Sequence, residues 1–252
     1  MYNLLQTSKT GMQATQIRID TISNNMVNAQ TVGYKKLENS FLDTYTETLD
    51  KRVYPNNNED NITGTGVKIS ESVRRYDQGS LKATDIDTDM AIEGNGFFKV
   101  TNPEGNDLYT RNGSFKLDAD GRIVDDNGNF LEVIYDDASP VQDVNLSNGI
   151  LNIKSTGEVF LDEVKIGKIN LYEPEGTNDL LSGDNSLFEL NDGAFMQLAN
   201  DSLIHQGHVE MSNVRLEQEM TNLILAQRAF QFNSKGIQAA DEMWSMANNL
   251  QR

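Results

Sequence analysis

The sequence predicts a multi-layer α+β fold, in which helices at the two ends pair in a coiled-coil-like domain and a β-rich middle, a sandwich or an open barrel, is inserted between them. Apolar residues recur every seven positions at both ends, and apolar runs alternate with turn clusters in between. The expected division is a terminal helical domain of 1–28 with 213–252, an extended connector of 29–86, and a β-rich middle domain of 87–205.

The N-terminal helix is predicted over roughly residues 4–28. One apolar residue recurs at every seventh position: Leu5, Met12, Ile19 and Met26. This column favours a coiled-coil-like seam, although Ser8 and Thr15 stand where a second apolar column is expected. The asparagines between positions 24 and 28 are expected to end the helix, because Asn is a poor helix former and tolerates the left-handed conformation.

The C-terminal helix is predicted over 213–250, with Asn213 as its N-cap. Its apolar column at spacing seven is unbroken: Leu216, Leu223, Phe230, Ile237 and Trp244. At 1.5 Å per residue the two helices would span roughly 38 Å and 57 Å, so pairing leaves about 19 Å of the longer stripe uncovered. A soluble monomer seldom exposes such a stripe, which predicts contact with another chain. The alternative is an ordinary long helix lying on the middle domain of its own chain.

The middle of the chain is predicted to be β-structure. Runs of Val, Ile, Phe and Tyr alternate with polar turn clusters at 103–106, 118–121 and 126–129. Asp-Gly and Asn-Gly between apolar runs are hairpin signals, and their spacing of 8–12 residues is typical of sandwiches and barrels. Residues 52–66 are mostly polar and are predicted to form a flexible or surface loop.

The charge is divided unevenly along the chain. Its net value is -17, of which residues 1–36 contribute +3 and residues 209–252 contribute -1, so the middle holds -19. Nucleic acid and anionic membrane surfaces are disfavoured as partners, because both are bound through Lys and Arg. No apolar run suits a cleaved signal peptide or a membrane span. Without cysteine, the chain has no disulfide, thiolate nucleophile or Cys-based zinc site.

Two groups of titratable residues are candidates for a functional site. His205 and His208 could share one helical face and bind a metal, but the adjacent Gly207 favours a connector. The alternating acids from Asp85 to Asp89 predict a solvated strand edge. A glycan hydrolase using paired carboxylates and a calcium-binding adhesin are alternatives that depend on the abundance of acids alone.

Two glycine-containing patterns resemble ligand-binding motifs only in part. Gly94-Asn95-Gly96 lacks the third Gly of a dinucleotide fingerprint and predicts a turn that enters a strand. Asp118-x-Asp120-Gly121 lacks the Glu at position twelve of a calcium loop and predicts a hairpin turn. We therefore expect no enzyme activity, and we assign no catalytic residue, cofactor or metal ligand.

Residues 23–36 read Ser-Asn-Asn-Met-Val-Asn-Ala-Gln-Thr-Val-Gly-Tyr-Lys-Lys. This segment resembles the N-terminal signature A-N-N-L-A-N-x-x-T-x-G-F/Y-K of the flagellar basal-body rod and hook protein family, with mild departures at Ser23, Met26 and Val27. The residues that match the signature are Asn24, Asn25, Asn28, Thr31, Gly33, Tyr34 and Lys35. Residues 89–100, 109–115 and 206–243 resemble further blocks of the same family.

The resemblance implies a structural subunit that is exported through the flagellar secretion channel without a cleaved signal and lies in the basal body, outside the cytoplasmic membrane. It implies that the terminal helices form the inner tube of a helical, torque-transmitting assembly, with the β middle packed outside. The implied partners are copies of the chain, other rod and hook subunits, surrounding ring proteins and the export apparatus. The two apolar columns are the expected assembly interface.

Within the family, the chain most resembles the distal rod members. This resemblance is based on the length of the chain and on the spacing of Gly64-x-Gly66-Val67 and Gln78-Gly79-Ser80-Leu81. A proximal rod member of similar length is the alternative, and a hook protein would usually have a larger middle.

Overall fold

The computed structural model describes residues 2–43, 46–48, 62–64, 66–70, 72–135, 149–176, 179–183, 185–199 and 201–250. The chain forms two compact units. The helical unit comprises Met1–Val27, Leu37–Arg75 and Arg215–Arg252, and the β unit comprises Asn28–Lys36 and Tyr76–Val214. This arrangement of terminal helices and a β-rich middle confirms the α+β class, whereas the coiled-coil pairing and the sandwich or barrel stay predictions.

The two predicted helices are present. Helix α1 covers Tyr2–Val27 and is followed by a 3₁₀ turn at Asn28–Gln30, and helix α2 covers Leu216–Leu250. The prediction of Asn213 as the N-cap is wrong, since α2 begins three residues later. The Asn213 side chain instead forms hydrogen bonds with the backbone of Lys36 and Asp77, which are distant in sequence. No helix among the described residues is long and apolar enough to cross a membrane.

The two helices approach each other through small residues. A Cβ atom on Gly236 would lie 2.8 Å from Ser8 Oγ, and one on Gly11 would lie 3.0 Å from Asn233. The buried side chains of the described helical residues are Ser8, Ala14, Thr15, Ile22 and Asn25 on α1, and Glu219, Ala226 and Ala240 on α2. Positions 8 and 15, which interrupt the expected apolar column, are therefore buried contact positions. Thr15 can bury its hydroxyl because this group donates to the Gly11 carbonyl at 2.9 Å.

An antiparallel ribbon occupies part of the connector. Its outgoing strands are β1 (Leu37–Glu38), β2 (Phe41–Asp43) and β3 (Thr46–Thr48), and its returning strands are β4 (Ile62–Gly64), β5 (Val67–Ile69) and β6 (Val73–Arg74). The register runs from Leu37 opposite Arg74 to Thr48 opposite Ile62. The loop predicted over 52–66 is thus wrong at 62–64, because those residues pair with β3. Residues 52–61 and 65 lie outside the described residues.

The β unit contains the remaining strands: β7 (Leu81–Ala83), β8 (Met90–Glu93), β9 (Phe97–Thr101), β10 (Asp107–Thr110), β11 (Lys116–Leu117), β12 (Ile123–Val124), β13 (Phe130–Leu131), β14 (Ile134–Tyr135), β15 (Leu151–Ile153), β16 (Glu158–Leu161), β17 (Val164–Lys168), β18 (Leu171–Pro174), β19 (Leu180–Ser182), β20 (Leu187–Leu190), β21 (Met196–Leu198), β22 (Leu203–Gln206) and β23 (His208–Glu210). Seven of them follow the order β11-β12-β13-β9-β10-β20-β19, and β18 and β21 complete this nine-stranded sheet. A four-stranded sheet has the order β14-β17-β16-β15, and β22 pairs with β8 and β23 with β7.

One apolar core is shared by the two larger sheets. It combines Phe98 and Phe115, whose rings meet edge to face at 5.5 Å, with Val159 and Ile166 of the four-stranded sheet. Each buried side chain of this size contributes roughly 1.5–3 kcal/mol through removal from water. The core therefore provides the rigid frame to which the segment 28–36 is attached.

The predicted turns between strands of the nine-stranded sheet are confirmed. Hydrogen bonds close the loops at Asn102–Asn106, Asp118–Arg122 and Asp125–Asn129, each with a glycine of positive φ. The segment Gly94–Gly96 is the turn that leads from β8 into β9, as expected. The solvated strand edge predicted for Asp85–Asp89 is wrong: these residues form a turn, and Asp89 is buried.

The loop between β16 and β17 carries local strain. It consists of two residues, Asp162 and Glu163, with φ values of 48° and 72°. Such a loop favours Gly at its second position, since a bulky L-residue there costs about 1–2 kcal/mol. We expect Glu163→Gly to raise the free energy of unfolding by about 1 kcal/mol, measured by urea denaturation. Glu104→Gly, at a turn position without positive φ, is the control and should give no gain.

Candidate functional site

The signature segment 28–36 is attached to the β unit at Gly33. The N–H of Gly33 donates to the Glu210 carbonyl at 2.8 Å, and its φ is 68°. A Cβ atom at this position would come within 2.4 Å of the Asn112 backbone nitrogen. Both the positive φ and this close approach require glycine.

Beside Gly33 lies a buried ion cluster of Lys35, Arg111 and Glu210. Lys35 Nζ donates to Glu210 Oε1 at 2.6 Å, and Arg111 Nη1 donates to Glu210 Oε2 at 3.2 Å. The side chains of all three residues are 1–2% exposed. The Gly79 N–H adds a third hydrogen bond, to Oε1 at 2.7 Å, and Lys35 Nζ also donates to the Asp77 carbonyl. Glu210 is thus an acceptor shared by three segments that are distant in sequence.

The cluster holds two cations and one carboxylate away from water. Burial lowers the pKa of Lys35 and of Arg111, and the nearby Glu210 carboxylate partly offsets this for both groups. Arg111 is also held by its Nη2 bond to the Gly94 carbonyl and by stacking over Phe97. Its Nε has no hydrogen-bond partner within the part of the chain that the structure describes. Because desolvating charges is costly, the cluster depends on the Glu210 carboxylate being present.

Asn213 extends this network close to the points where the chain leaves the β unit. Asn213 Oδ1 accepts the Lys36 N–H at 2.7 Å, and Asn213 Nδ2 donates to the Asp77 carbonyl at 3.0 Å. The chain passes between the two units after residues 27, 36, 75 and 214. Three of these four points lie within two residues of Lys36, Asp77 or Asn213. The network therefore holds three segments of the β unit together where they leave it.

The other signature residues make local contacts. In the helical unit, the buried Asn25 amide pairs with both backbone groups of Leu37: its Nδ2 donates to the carbonyl at 2.8 Å and its Oδ1 accepts the N–H at 3.0 Å. In the β unit, the Thr31 hydroxyl donates to Asn28 Oδ1, and Tyr34 is buried. Asn24 is exposed. Asn25 thus continues the ribbon hydrogen-bond pattern into α1.

The two apolar columns predicted as an assembly interface are only partly covered. The half-buried members are Leu5, Met12, Ile19 and Met26 on α1 and Leu223, Phe230 and Ile237 on α2. Leu216 and Trp244 are 41% and 55% exposed. Sequence reasoning missed further exposed apolar side chains on α2: Met220, Ile224, Leu225, Phe232 and Met246. Leu225 and Phe232 are seven residues apart, and Met246 follows after two more intervals of seven. This period predicts a second apolar stripe on α2.

The two histidines lie on neighbouring strands. His205 lies in β22 and His208 in β23, so neither the helical face nor the predicted connector is correct. His205 Nε2 lies 2.5 Å from Glu93 Oε2 across the β22–β8 pair. Among the described residues, no group of three or more His, Asp or Glu side chains is placed to hold a metal ion.

Gly33→Ala tests the attachment of the signature segment. We expect a loss of about 2–4 kcal/mol in the free energy of unfolding of the β unit, because both the positive φ and the overlap with Asn112 are penalised. Near-ultraviolet circular dichroism during urea denaturation measures this. The control is Gly105→Ala, which has φ 89° and open space around the added Cβ, and should cost only about 1 kcal/mol. Equal losses for the two variants would contradict the close approach.

Comparison with known proteins identifies the family. Three family descriptions match segments of the chain: "Flagella basal body rod protein" over residues 5–35, "Flagellar hook protein FlgE/F/G D1 domain" over 91–161, and "Flagellar basal body rod FlgEFG protein C-terminal" over 205–250. The first segment includes the signature residues from Asn24 to Lys35, and the second includes Arg111. The third covers the whole region from His205 to the end of α2.

Individual relatives match along almost their whole length. The basal-body rod protein FlgG of Borreliella burgdorferi is 33% identical, over 100% of both chains. FlgG of Buchnera aphidicola subsp. Schizaphis graminum is 34% identical, over 96% of this chain and 97% of its own. The rod protein FlgF of Caulobacter vibrioides is 29% identical, over 93% and 92%. The chain therefore belongs to the flagellar basal-body rod protein family.

Proposed function

We propose that the chain is a structural subunit of the distal flagellar rod, and that it polymerises through α1 and α2 into a helical tube that transmits torque. The observation that carries this proposal is the exposure of large apolar side chains on α2 in more than one direction. Ile224 and Leu225 are adjacent and therefore point about 100° apart, yet they are 53% and 56% exposed. Phe232 is 71% exposed.

A helix with apolar side chains around much of its circumference is usually buried on several sides. Helix α1 contacts α2 through small residues such as Gly11 and Gly236, and this contact leaves the large side chains available. Copies of the same helices in neighbouring subunits would cover them. The predicted columns, from Leu5 to Met26 and from Leu216 to Trp244, together with the stripe of Leu225, Phe232 and Met246, are the proposed interface.

The distribution of charge supports the same arrangement. Counted over the sequence of each unit, the helical unit carries 11 basic and 12 acidic side chains, and the β unit carries ten basic and 26 acidic ones. Helical units can therefore approach one another with little repulsion. The β units, at -16 each, repel one another and keep free subunits dispersed.

Other parts of the proposal follow from family membership. We propose that the subunit is exported without a cleaved signal, works outside the cytoplasmic membrane, and contacts rod, hook and ring proteins as well as its own copies. The distal assignment is supported by full-length similarity to two FlgG proteins, and a proximal rod subunit is the alternative. We also propose that it has no catalytic role, which its similarity to basal-body rod proteins supports, and that the charged cluster around Glu210, whose side chains are 1–2% exposed, is structural.

The experiment that tests this function is deletion of the gene, followed by electron microscopy of the cells and of isolated basal bodies. We expect cells without filaments and rods that stop short, and complementation with the wild-type gene should restore both. The length of the remaining rod distinguishes a distal from a proximal subunit. Fully flagellated, swimming deletion cells without a second copy of the gene would overturn the proposal.

A further inference from the structure

Every covalent connection between the two units runs through a small part of the β unit. The chain crosses from one unit to the other after residues 27, 36, 75 and 214. Any force that the chain itself carries between its units must therefore pass through the adjoining stretches of the β unit, 28–36, 76–80 and 210–214. We call these three stretches the exit segments.

Two of the exit segments run side by side in the same direction. The N–H of Gly33 donates to the Glu210 carbonyl at 2.8 Å. Three residues further along both segments, the N–H of Lys36 donates to Asn213 Oδ1 at 2.7 Å. The chain leaves the β unit at the end of both segments. A pull from outside the unit therefore acts on both of them in the same direction.

The third exit segment, 76–80, lies against 210–214. It leads into β7, which is antiparallel to β23, and beyond that pair the Met211 N–H donates to the Ser80 carbonyl at 2.9 Å. The two backbones are so close that a Cβ atom on Gly79 would lie 1.9 Å from the Met211 carbonyl oxygen. Because the chain enters along this segment and the pairing is antiparallel, the outer ends of all three segments lie on the same side of the β unit.

Side chains bind the three exit segments to one another. Asn213 forms hydrogen bonds with the Lys36 N–H and the Asp77 carbonyl. Lys35 Nζ donates to the Asp77 carbonyl and to Glu210 Oε1. Asn213 and Lys35 each therefore reach both of the segments to which they do not belong. Detaching any one segment breaks hydrogen bonds to the other two.

The cost of detaching a single segment is raised by burial. The side chains of Lys35 and Glu210 are each 1% exposed, so a partner that is lost cannot be replaced by water unless the site opens. A buried polar group without a partner costs more than an ordinary hydrogen bond contributes. Local opening in proteins occurs in cooperative units, and these shared bonds make the three segments one such unit.

We propose that the exit segments open only together, and that they thereby distribute a force between the two units over all four crossings. This inference rests on the proposed function, since a subunit that transmits torque experiences such a force. The crossing at Asn28 is included, because 28–36 is held at both Gly33 and Lys35. Forced opening is governed by the rate of unfolding, and independent segments would open singly and therefore faster.

Amide hydrogen exchange of the purified full-length chain tests whether the exit segments form one unit. Asn213→Ala removes two hydrogen bonds and leaves the buried charges paired. We expect the amides of Gly33, Gly79 and Met211, whose own acceptors remain, to exchange faster by one common factor of about ten. The amides of the core strand β9 should not change. Faster exchange at Lys36 alone overturns the proposal, and so does equal acceleration in β9, which would show global destabilisation.

Gln206→Ala is the matched control. The Gln206 side chain also binds backbone groups, but these are the Ile153 N–H and the carbonyls of Leu151 and Asp87, outside the exit segments. This variant should leave the exchange of the exit-segment amides unchanged. If it accelerates them as much as Asn213→Ala does, the cooperative unit is not confined to the exit segments and the proposal is wrong.

The mechanical role is tested in the deletion strain that expresses Asn213→Ala. We expect a normal number of filaments on cells whose motor cannot turn, and several-fold fewer on cells that swim in a viscous medium. Cells with Gln206→Ala should keep their filaments in both conditions. Equal filament numbers with Asn213→Ala in the two conditions, or loss without rotation, overturn the mechanical role.

Failure of this inference and failure of the proposed function are distinguishable. If the wild-type gene does not restore filaments to the deletion strain, the proposed function is wrong. The exchange experiment uses the purified chain, so its result on the cooperative unit does not depend on that function. Restored filaments together with independent exchange of the three segments would leave the function intact and overturn the inference.

Discussion

Glu210→Gln is expected to lower the free energy of unfolding of the β unit by about 3–5 kcal/mol. The change keeps the shape of the side chain but removes the only carboxylate from a cluster that buries the Lys35 and Arg111 charges. An uncompensated buried charge is among the most destabilising changes in a protein interior. Urea denaturation followed by near-ultraviolet circular dichroism of Tyr and Phe measures the loss, and fluorescence of Trp244 reports the helical unit separately.

Lys35→Met is the informative comparison for Glu210→Gln. It removes one of the two cations and leaves Glu210 paired with Arg111, so the remaining charges balance. We therefore expect a clearly smaller loss of stability than for Glu210→Gln. Glu38→Gln, which removes an exposed ion pair with Arg75, should cost no more than about 1 kcal/mol. If Lys35→Met costs as much as Glu210→Gln, charge imbalance in the cluster is not the cause.

Phe230→Asp is expected to abolish rod assembly. Phe230 is half-buried in the free chain and lies in the proposed α2 column, so a carboxylate there would be desolvated at every repeat of the interface, at a cost of several kcal/mol each. Complementation of the deletion strain, scored by motility and by electron microscopy of basal bodies, measures the effect. The near-ultraviolet spectrum of the β unit should be unchanged.

Two further variants separate assembly from folding of the helical unit. Phe232→Asp changes a side chain that is 71% exposed in the free chain, so helix content should be preserved while assembly is lost. Gln231→Asp introduces the same charge at an exposed position outside both apolar columns, and it should assemble. Normal rods from Phe230→Asp and Phe232→Asp together would show that α2 does not form the interface.

Much of the fold could be predicted because it depends on residues close together in sequence. The α2 helix follows from a column at spacing seven, and the hairpins closed by Gly105, Gly121 and Gly128 follow from turn chemistry within five residues. The errors arose where a distant partner overrides the local pattern. Asn213 has the right residue type for an N-cap, yet its amide binds Lys36 and Asp77 instead.

By itself, the sequence determined the helices, the turns, the acidic middle and the family signature. Only the tertiary structure decided what the signature does, because Lys35 and Glu210 are separated by 175 positions and Arg111 and Glu210 by 99. No local period links such residues, and a lysine before a strand looks like any exposed lysine. Their meeting is set by the way β23 and the segment 28–36 pack on the core, where removal from water makes one carboxylate necessary for two cations.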